Sequence, residues 1–578
     1  MNKPALVAAC ALVLAACAAA PAAAQPDTRP NIVVLMTDDQ TLASMGAMPQ
    51  TRSLLGSQGT TFGRVISTFP LCCPARATFL TGQYSHNHGV IHNAGPSGGY
   101  KVFDNANALP VWLQRAGYHT IHLGRYLNGY GETDVPAEVP AGWSDWHAAM
   151  DPTTFNYASW RMSDNGVASM YPQPGREGEH QTDFYGRRGA ELIEGAAGAP
   201  QPFFLNIWFG APHSGRPRDP DDPALATPSP AARHRDAFAS AALPVPPSFD
   251  EPDVSDKPQL ISERPRLAPE QAAAIQENYQ QELESLQSVD DAVASIYGAL
   301  QRSGELDNTL VVFTSDNGFM HGEHRWPSEK VLPYEESIRV PLVLRGPGVP
   351  RAQSDRRLVP NVDLAATLLD AADAFPGRTQ DGRSLLPLLA DGGRELGRDV
   401  LLENGQGANG VPAYRGLRTY RFSYIEHLTT GEFELYDLRR DPFQLRSVDS
   451  DLRYEPVLLE LQGRLRRLSR CAGRSCRAKP SLRLGLTVRA RRKRPSRPTA
   501  DCVRGDLRVR VYGAESSKVV RADVYVGRRR VFRIGRPPFV RDVPHRRLGR
   551  GKRSLVRVRA ELRDGRVTTL DRRFRACA

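Results

Sequence analysis

Two short apolar runs that break abruptly into acidic loops constrain the fold of this chain more than any other feature. Residues 31–36 are largely β-branched and apolar and lead into the acidic pair 38–39, and residues 309–313 lead in the same way into the pair 316–317. Runs of this length and composition are typical of strands buried on both faces of a parallel sheet. Because parallel strands deliver their carboxyl ends to one edge, we expect these polar side chains to lie close together.

Other segments extend this pattern to a large α/β domain. A third apolar run, 203–209, ends in a polar loop, and residues 269–303 form a periodic segment without an internal Pro that predicts one long helix ending at Gly304. Alternating strands and helices predict an α/β sandwich over residues 29–470. The Pro-rich and Asp-rich segment 214–268 is predicted to be a surface excursion.

The composition changes at about residue 471. Residues 471–505 are predicted to be a basic linker region, with Pro-containing basic residues at 489–497. Residues 506–578 are predicted to be a small all-β module, because alternating apolar and polar positions recur in three stretches. These stretches are 507–512, 519–532 and 555–562.

Net charge divides the chain into two unlike parts. Residues 471–578 hold 33 Lys and Arg against 8 Asp and Glu, a net charge of +25, whereas the preceding residues hold 42 against 55, a net charge of −13. The basic part predicts binding of a polyanion such as a sulfated glycan, and a charge that serves only solubility is the alternative. No nucleic-acid-binding motif accompanies this charge, so we expect no nucleic-acid partner.

Residues 1–24 have the layout of a secretory signal peptide. One Lys precedes an apolar stretch, and small residues follow it. Cleavage before Gln25 would give a secreted chain, whereas a lipoprotein signal ending before Cys17 would give a lipid-anchored protein of the cell envelope. Both alternatives predict export, with no transmembrane span in the mature chain.

Four cysteines lie in the basic C-terminal part. An even number of cysteines in an exported chain predicts two disulfides, because the compartment is oxidising. They are Cys471, Cys476, Cys502 and Cys577. The adjacent pair Cys72 and Cys73 needs another explanation.

That pair lies in a distinctive motif, residues 71–82, which reads Leu-Cys-Cys-Pro-Ala-Arg-Ala-Thr-Phe-Leu-Thr-Gly. The pattern resembles the signature of the formylglycine-dependent sulfatases, in which a maturation enzyme oxidises the first Cys to an aldehyde. The resemblance implies that Cys72 becomes formylglycine, that a formylglycine-generating enzyme acts on the chain, and that Cys73 is a variable neighbour. A Pro turn containing two incidental cysteines is the alternative.

The resemblance extends over most of residues 29–450. It includes the pairs 38–39 and 316–317, the Ala-Pro-His of 211–213, and the Gly-Glu-His and Lys of 322–330. The Tyr-Leu-Asn-Gly of 126–129 and the His-Asn-His-Gly of 86–89 look most like the N-acetylglucosamine-6-sulfatase and heparan-sulfate-sulfatase branch. The resemblance implies an alkaline-phosphatase-like sandwich with a large, mostly parallel central sheet.

A sulfate monoester is an anion, so its hydrolysis needs an oxygen nucleophile and positive charge around the sulfate. Oxygen donors at two strand ends suit Ca²⁺, with Mg²⁺ the lesser option. The expected metal ligands are Asp38, Asp39, Asp316, Asn317 and the modified Cys72. As a hydrated aldehyde, the side chain at 72 would offer one hydroxyl for attack on sulfur and a second to expel sulfate.

The resemblance also implies roles for basic side chains. Arg76 would hold the diol, and His213 and Lys330 would contact the sulfate and help to protonate the leaving oxygen. Arg125 stands where many family members have Lys, and Arg can clamp an oxyanion but does not readily give up a proton. His86, His88 and Asn128 are weaker candidates for the rim of the pocket.

Three functions remain open from the sequence alone. The leading hypothesis is an exported sulfatase acting on a sulfated small molecule, amino sugar or glycan. A phosphodiester or phosphonate monoester hydrolase of the same superfamily is the second, and a non-catalytic protein that binds sulfated glycans is the third. Substrate choice is expected to lie in residues 130–200 and 214–268, which carry no interpretable motif.

Overall fold

The apolar runs of the sequence form the centre of one large sheet. In the computed structural model, the described residues are 27–132, 137–390, 398–405, 407–477, 483–489, 505–513, 515–548, 553–563 and 565–575. The predicted signal peptide, Cys17, Cys502 and Cys577 lie outside them. The strands of the large sheet are β1 (Asn31–Thr37), β2 (Thr60–Ile66), β3 (His119–Gly124), β4 (Asp145–Met150), β5 (Trp160–Asp164), β6 (Val167–Tyr171), β7 (Phe203–Trp208), β8 (Thr309–Ser315), β9 (Arg339–Arg345), β10 (Gln353–Asp355) and β11 (Val359–Pro360).

The sheet is parallel at its centre and has antiparallel pairs on both sides of that centre, and β10 and β11 run parallel to β2 at one edge. Its strand order is β10-β2-β9-β8-β1-β7-β3-β4-β5-β6, with β11 also beside β2. β1 runs parallel to both β7 and β8, whereas β9 runs antiparallel to β8 and β2, and β5 runs antiparallel to β4 and β6. The predicted fold class is confirmed, and the sheet is mixed.

The described chain has α-helices on both faces of this sheet and elsewhere in the fold. They are α1 (Pro49–Thr51), α2 (Cys72–Thr81), α3 (Ser85–His88), α4 (Leu109–Arg115), α5 (Gln181–Ala196), α6 (Gln259–Ser262), α7 (Pro269–Arg302), α8 (Glu335–Ile338), α9 (Asp363–Ala371), α10 (Leu386–Ala390) and α11 (Glu455–Leu468). Side chains alternate along β1: Ile32 and Val34 belong to the core with α2, α4 and α9, whereas Val33 and Leu35 belong to the core with α5 and α7. This period of two explains why the whole strand is apolar.

The long helix predicted at 269–303 is present as α7. Pro269 occupies its first turn, and the Gln271 side chain accepts a hydrogen bond from the backbone N–H of Ala268, at 2.9 Å. Both features stabilise the start of a helix. Gly304 follows the last turn with a φ of +76°, which a glycine adopts without strain.

Residues after 398 form three smaller antiparallel sheets. The first contains β12 (Val400–Asn404), β13 (Tyr414–Arg418), β14 (Phe422–His427) and β15 (Phe433–Asp437). The second contains β16 (Arg483–Arg489), β17 (Asp506–Tyr512) and β20 (Val540–Val543), and the third contains β18 (Val519–Val526), β19 (Arg529–Ile534), β21 (Arg553–Leu562) and β22 (Val567–Arg575). The last two sheets share one apolar core.

Two predictions for the C-terminal part, the linker at 471–505 and the disulfides, can be compared with the structure. Strand β16 lies within the segment predicted to be a linker, and its buried Leu484 and Leu486 supply the alternation that marks it as a strand. Cys471 and Cys476 form one disulfide. None of the helices in the described part of the chain is long and apolar enough to span a bilayer.

Candidate active site

The paired strand ends place the acidic residues side by side. Strands β1 and β8 run parallel in a register that sets Thr37 opposite Ser315. Asp38 and Asp39 therefore leave the sheet next to Asp316. The backbone N–H of Asp39 donates a hydrogen bond to Asp316 Oδ1, at 3.2 Å, which ties the two loops together.

Three carboxylates meet in this corner, which we call the carboxylate cluster. Asp38, Asp39 and Asp316 each contribute an oxygen, these oxygens lie within 4.8 Å of one another, and none of the residues is more than 5% exposed. Asn317 donates from Nδ2 to Asp39 Oδ1, at 2.6 Å, whereas its own buried Oδ1 has no hydrogen-bond partner. An unpartnered amide oxygen beside buried carboxylates fits a hard divalent cation.

Cys72 lies against this cluster. It begins helix α2, and its Sγ is 3.6 Å from Asp38 Oδ1. Asp38, Cys72 and His213 form a second group of ligand-type atoms within 4.8 Å of one another. Burial raises the pKa of the Cys72 thiol far above its usual range, so the unmodified side chain is a neutral thiol. Cys72 and Cys73 are both free, and Cys73 belongs to the core beneath α2.

Arg76 joins the two strand ends from one turn further along α2. Its Nε donates to Asp316 Oδ2 and its Nη2 donates to Asp38 Oδ2, both at 2.9 Å. The guanidinium is fully buried and lies 4.8 Å from the centre of the Trp208 ring. Its Nη1 is buried without a hydrogen-bond partner.

Two further cations complete the neighbourhood. Arg125 follows β3, pairs with Asp38, and donates from Nη2 to Asn128 Oδ1 at 3.1 Å. Lys330 pairs through Nζ with Asp39 Oδ2. Burial by itself would lower the pKa of Lys330, but the negative charge of Asp39 outweighs it and the pKa is raised, so the amine stays protonated at neutral pH.

His213 faces the cluster in its neutral form. Its Nδ1 donates to the carbonyl of Ser214 at 2.8 Å, which leaves Nε2 as the lone-pair nitrogen, 3.7 Å from Asp39 Oδ2. Burial and the positive charges of Lys330 and Arg125 lower its pKa well below the usual range. The ring of Phe155 stacks on His213 with centroids 3.9 Å apart and lies 4.6 Å from the Arg125 guanidinium.

Two of the weaker sequence candidates lie elsewhere. His86 contacts Glu403 Oε1 at 2.8 Å and the Cys471 carbonyl at 2.9 Å. His88 contacts Thr78 Oγ1 at 3.1 Å. Within the part of the chain that the structure describes, neither histidine contacts the carboxylate cluster. Both instead hold in place the segment that follows α2.

Sequence reasoning missed one residue of the site. Phe155 follows β4 in a segment without an interpretable motif, and a lone Phe gives no signal of its position. Asn128, a weak candidate, holds the guanidinium of Arg125. The structure brings together all the expected site residues: Asp38, Asp39, Cys72, Arg76, Arg125, His213, Asp316, Asn317 and Lys330.

Comparisons with known proteins match most of the chain. A family model described as Sulfatase matches residues 30–374, and a second, described as N-sulphoglucosamine sulphohydrolase, C-terminal, matches residues 322–471. The chain is 34% identical over 517 residues to an arylsulfatase of Volvox carteri, covering 80% of this chain and 79% of that protein. It is 32% identical over 509 residues to the human N-acetylglucosamine-6-sulfatase, covering 81% and 89%.

A solved structure shares the fold. The protein BT4656, determined in complex with its substrate D-glucosamine-2-N,6-O-disulfate, superposes with a TM-score of 0.65 at 23% identity. The match covers 78% of this chain and 98% of that one.

Proposed function

The chain belongs to the sulfatase family and is a sulfuric ester hydrolase, and we propose that it cleaves a sulfate monoester with a formylglycine made from Cys72, beside a Ca²⁺ ion. The observation that carries the proposal is the position of Cys72, on the first turn of α2 and 3.6 Å from Asp38 Oδ1 in the carboxylate cluster. A formylglycine-generating enzyme would modify this residue during maturation.

The proposed metal ligands are Asp38, Asp39, Asp316, Asn317 and the side chain at 72. Carboxylate and amide oxygens favour Ca²⁺, and Mg²⁺ is the second choice. When bound, the ion and the hydrated aldehyde would supply an acidified oxygen nucleophile and a Lewis acid for the sulfate oxygens. The unpartnered Oδ1 of Asn317 supports this ligand set.

The chain's own cations would bind and orient the sulfate. Lys330 stays protonated and Arg125 is permanently charged, so together they would neutralise the ester's negative charge as it shifts towards the leaving oxygen. Arg76 holds Asp38 and Asp316 in register, and its unpartnered Nη1 is the atom that would orient the side chain at 72.

His213 is the group suited to moving a proton. Its lowered pKa leaves Nε2 with a free lone pair at neutral pH, whereas Arg125 cannot exchange a proton and Lys330 holds its own tightly. We therefore assign to Nε2 of His213 a proton relay: it would accept a proton from the hydroxyl that attacks sulfur, and the resulting imidazolium would give that proton to the departing alkoxide.

The proposed substrate is a sulfated amino sugar, free or within a glycan. Support comes from the 32% identity to the human N-acetylglucosamine-6-sulfatase over most of both chains. We also propose that the chain is exported, because residues 1–24 have the layout of a secretory signal peptide. Lipid anchoring at Cys17 stays a prediction of the sequence.

The deciding experiment compares esters of one aryl alcohol. Purified, mature protein is assayed with the sulfate monoester, the phosphate monoester and a phosphonate monoester, in Ca²⁺ and in chelator, and N-acetylglucosamine-6-sulfate is then tested against its 3-sulfate isomer. We expect the highest kcat/KM for the sulfate and loss of activity in chelator. A preference for the phosphonate would favour the alternative hydrolase, and failure to cleave either sulfated sugar would overturn the proposed amino-sugar substrate.

A further inference from the structure

The basic C-terminal part has one face on which arginines gather. In the sheet β19-β18-β21-β22, Val524 and Val558 point into the core shared with the second small sheet, so their neighbours along each strand point outward. Among the side chains that the structure describes, the outward face carries six arginines against the three carboxylates of Asp523, Glu561 and Asp571. The arginines are Arg521, Arg530, Arg533, Arg557, Arg559 and Arg573.

The strand register sets these residues in rows that cross the sheet. One row contains Arg533, Asp523 and Arg559, which lie opposite one another on β19, β18 and β21. In the next row, Tyr525 of β18 lies between Arg530 and Arg557. Because neighbouring strands are about 4.8 Å apart, the four strands carry this charge over about 14 Å.

The carboxylates lie beneath the arginines. Asp523 and Glu561 are only 4% exposed, whereas Arg530 and Arg533 are 51% and 52% exposed. Asp523 accepts from Arg533 Nε at 2.9 Å and lies 3.9 Å from Arg530 Nη1. The buried carboxylates therefore hold the guanidinium groups on the sheet, and these groups rather than the carboxylates face the solvent.

The face continues to the catalytic domain. Glu561 pairs with Arg521 at 2.8 Å and, through its other oxygen, with Arg439 at 2.6 Å, in the loop after β15. Beside this loop, a cavity of about 600 Å³ lies between the two units, and Arg440, Arg453 and Arg563 are among the residues that line it. A chain lying on the sheet would thus meet positive charge at the boundary of the catalytic domain as well.

The shape and charge of this surface select its partner. Guanidinium groups bind sulfate oxygens through paired hydrogen bonds, and the partly exposed ring of Tyr525 offers a flat surface to a sugar ring. Charges spread in rows across a sheet fit an extended polymer better than a small molecule. We propose that the outward face of β19-β18-β21-β22 binds a sulfated polysaccharide and holds the enzyme on the polymer whose esters it cleaves.

This inference rests on the proposed function for its choice of a sulfated glycan. The test uses the full chain and a heparin oligosaccharide as the probe. Arg530→Gln, Arg533→Gln and Arg573→Gln are combined in one variant, and Arg176→Gln, Arg351→Gln and Arg356→Gln form the matched control. The control arginines are exposed and lie in the catalytic domain, so both variants lose three positive charges.

Binding is measured against salt concentration. We expect the variant of the sheet to bind heparin about tenfold or more weakly near 0.1 M salt, with the slope of log K against log salt reduced by about 2 to 3. The control should bind within about twofold of the parent chain. Cleavage of a small aryl sulfate should be unchanged in both variants, and a matching melting temperature checks that the fold is intact.

Three results would overturn the proposal. Equal weakening in the variant and its control would show that overall charge, not this face, binds heparin. Tighter binding of double-stranded DNA or of anionic lipid vesicles than of heparin would name a different partner. If the variant of the sheet keeps the affinity of the parent chain for heparin, the outward face is not the binding site. Because heparin binding needs no turnover, a chain that binds through this face but hydrolyses no sulfate ester would refute the proposed function alone.

Discussion

Replacing Arg76 with Ala should destabilise the chain by an amount that depends on Ca²⁺. Arg76 is fully buried and makes two charged hydrogen bonds of 2.9 Å to Asp38 and Asp316. Removing one partner of a buried ion pair costs about 3–5 kcal/mol, because the remaining charges stay buried without compensation. In chelator we expect Arg76→Ala to lose this full amount.

Saturating Ca²⁺ should recover part of that loss. The ion would lie among the same carboxylates, and any ligand at 100 times its Kd stabilises a folded protein by about 2.7 kcal/mol. Because the variant has one more uncompensated negative charge, we expect Ca²⁺ to stabilise Arg76→Ala more than the parent chain.

The assay is denaturant unfolding of both proteins with chelator and with Ca²⁺. Arg357→Ala is the matched control, since Arg357 is equally buried but pairs with Asp355 and the Leu388 carbonyl. The loss of unfolding free energy caused by Arg357→Ala should be the same with chelator and with Ca²⁺. An Arg76→Ala loss that does not change with Ca²⁺ would refute the placement of the ion in the carboxylate cluster.

Three other substitutions test the site and its surroundings. Phe155→Ala should lower kcat/KM about 10- to 100-fold and move the acid limb of the pH profile to higher pH, because His213 loses the ring that buries it. Phe155→Tyr should preserve both kcat/KM and the position of the acid limb. An acid limb that does not move in Phe155→Ala would argue against this stacking role. Arg125→Gln should lower kcat/KM about 100-fold, whereas Arg125→Lys should keep most of the activity, since the role assigned to Arg125 is its charge and not proton transfer. Equal losses of kcat/KM in the two variants would show that the contact of Arg125 with Asn128 matters more than the charge. Burial lowers the pKa of His122 to about 3, so its neutral ring contributes stability that is present above pH 6.5 and is lost as the pH falls, at about 1.4 kcal/mol per pH unit. His122→Phe should therefore flatten the fall in unfolding free energy between pH 6 and 4, and an unchanged slope would contradict this assignment.

The sequence predicted those strands and helices whose local residue pattern matches the surroundings that they have in the fold. Strands β1 and β8 are apolar on both faces, and α7 has a Pro at its start and a Gly after its end, so short-range signals were sufficient. The pairing of 38–39 with 316–317 followed from the geometry of parallel strands alone. The two antiparallel flanks were less predictable, because strand direction depends on long-range pairing.

The parts that were missed depend on contacts between distant segments. Phe155 is placed by the loop after β4, and only its packing on His213 and Arg125 reveals its position. Strand β16 was hidden because its basic neighbours in the sequence resemble a linker, although Leu484 and Leu486 alternate as a strand requires. The resemblance to a known family, rather than local chemistry, assigned Cys72.

The most direct test of the proposed chemistry is mass spectrometry of the tryptic peptide 65–76 from active protein made in its native host. We expect an aldehyde in place of the Cys72 thiol and an unmodified Cys73. Cys73→Ala should retain the aldehyde and most of the activity, whereas Cys72→Ala should lose both. A fully active protein with an unmodified thiol at Cys72 would contradict the formylglycine mechanism.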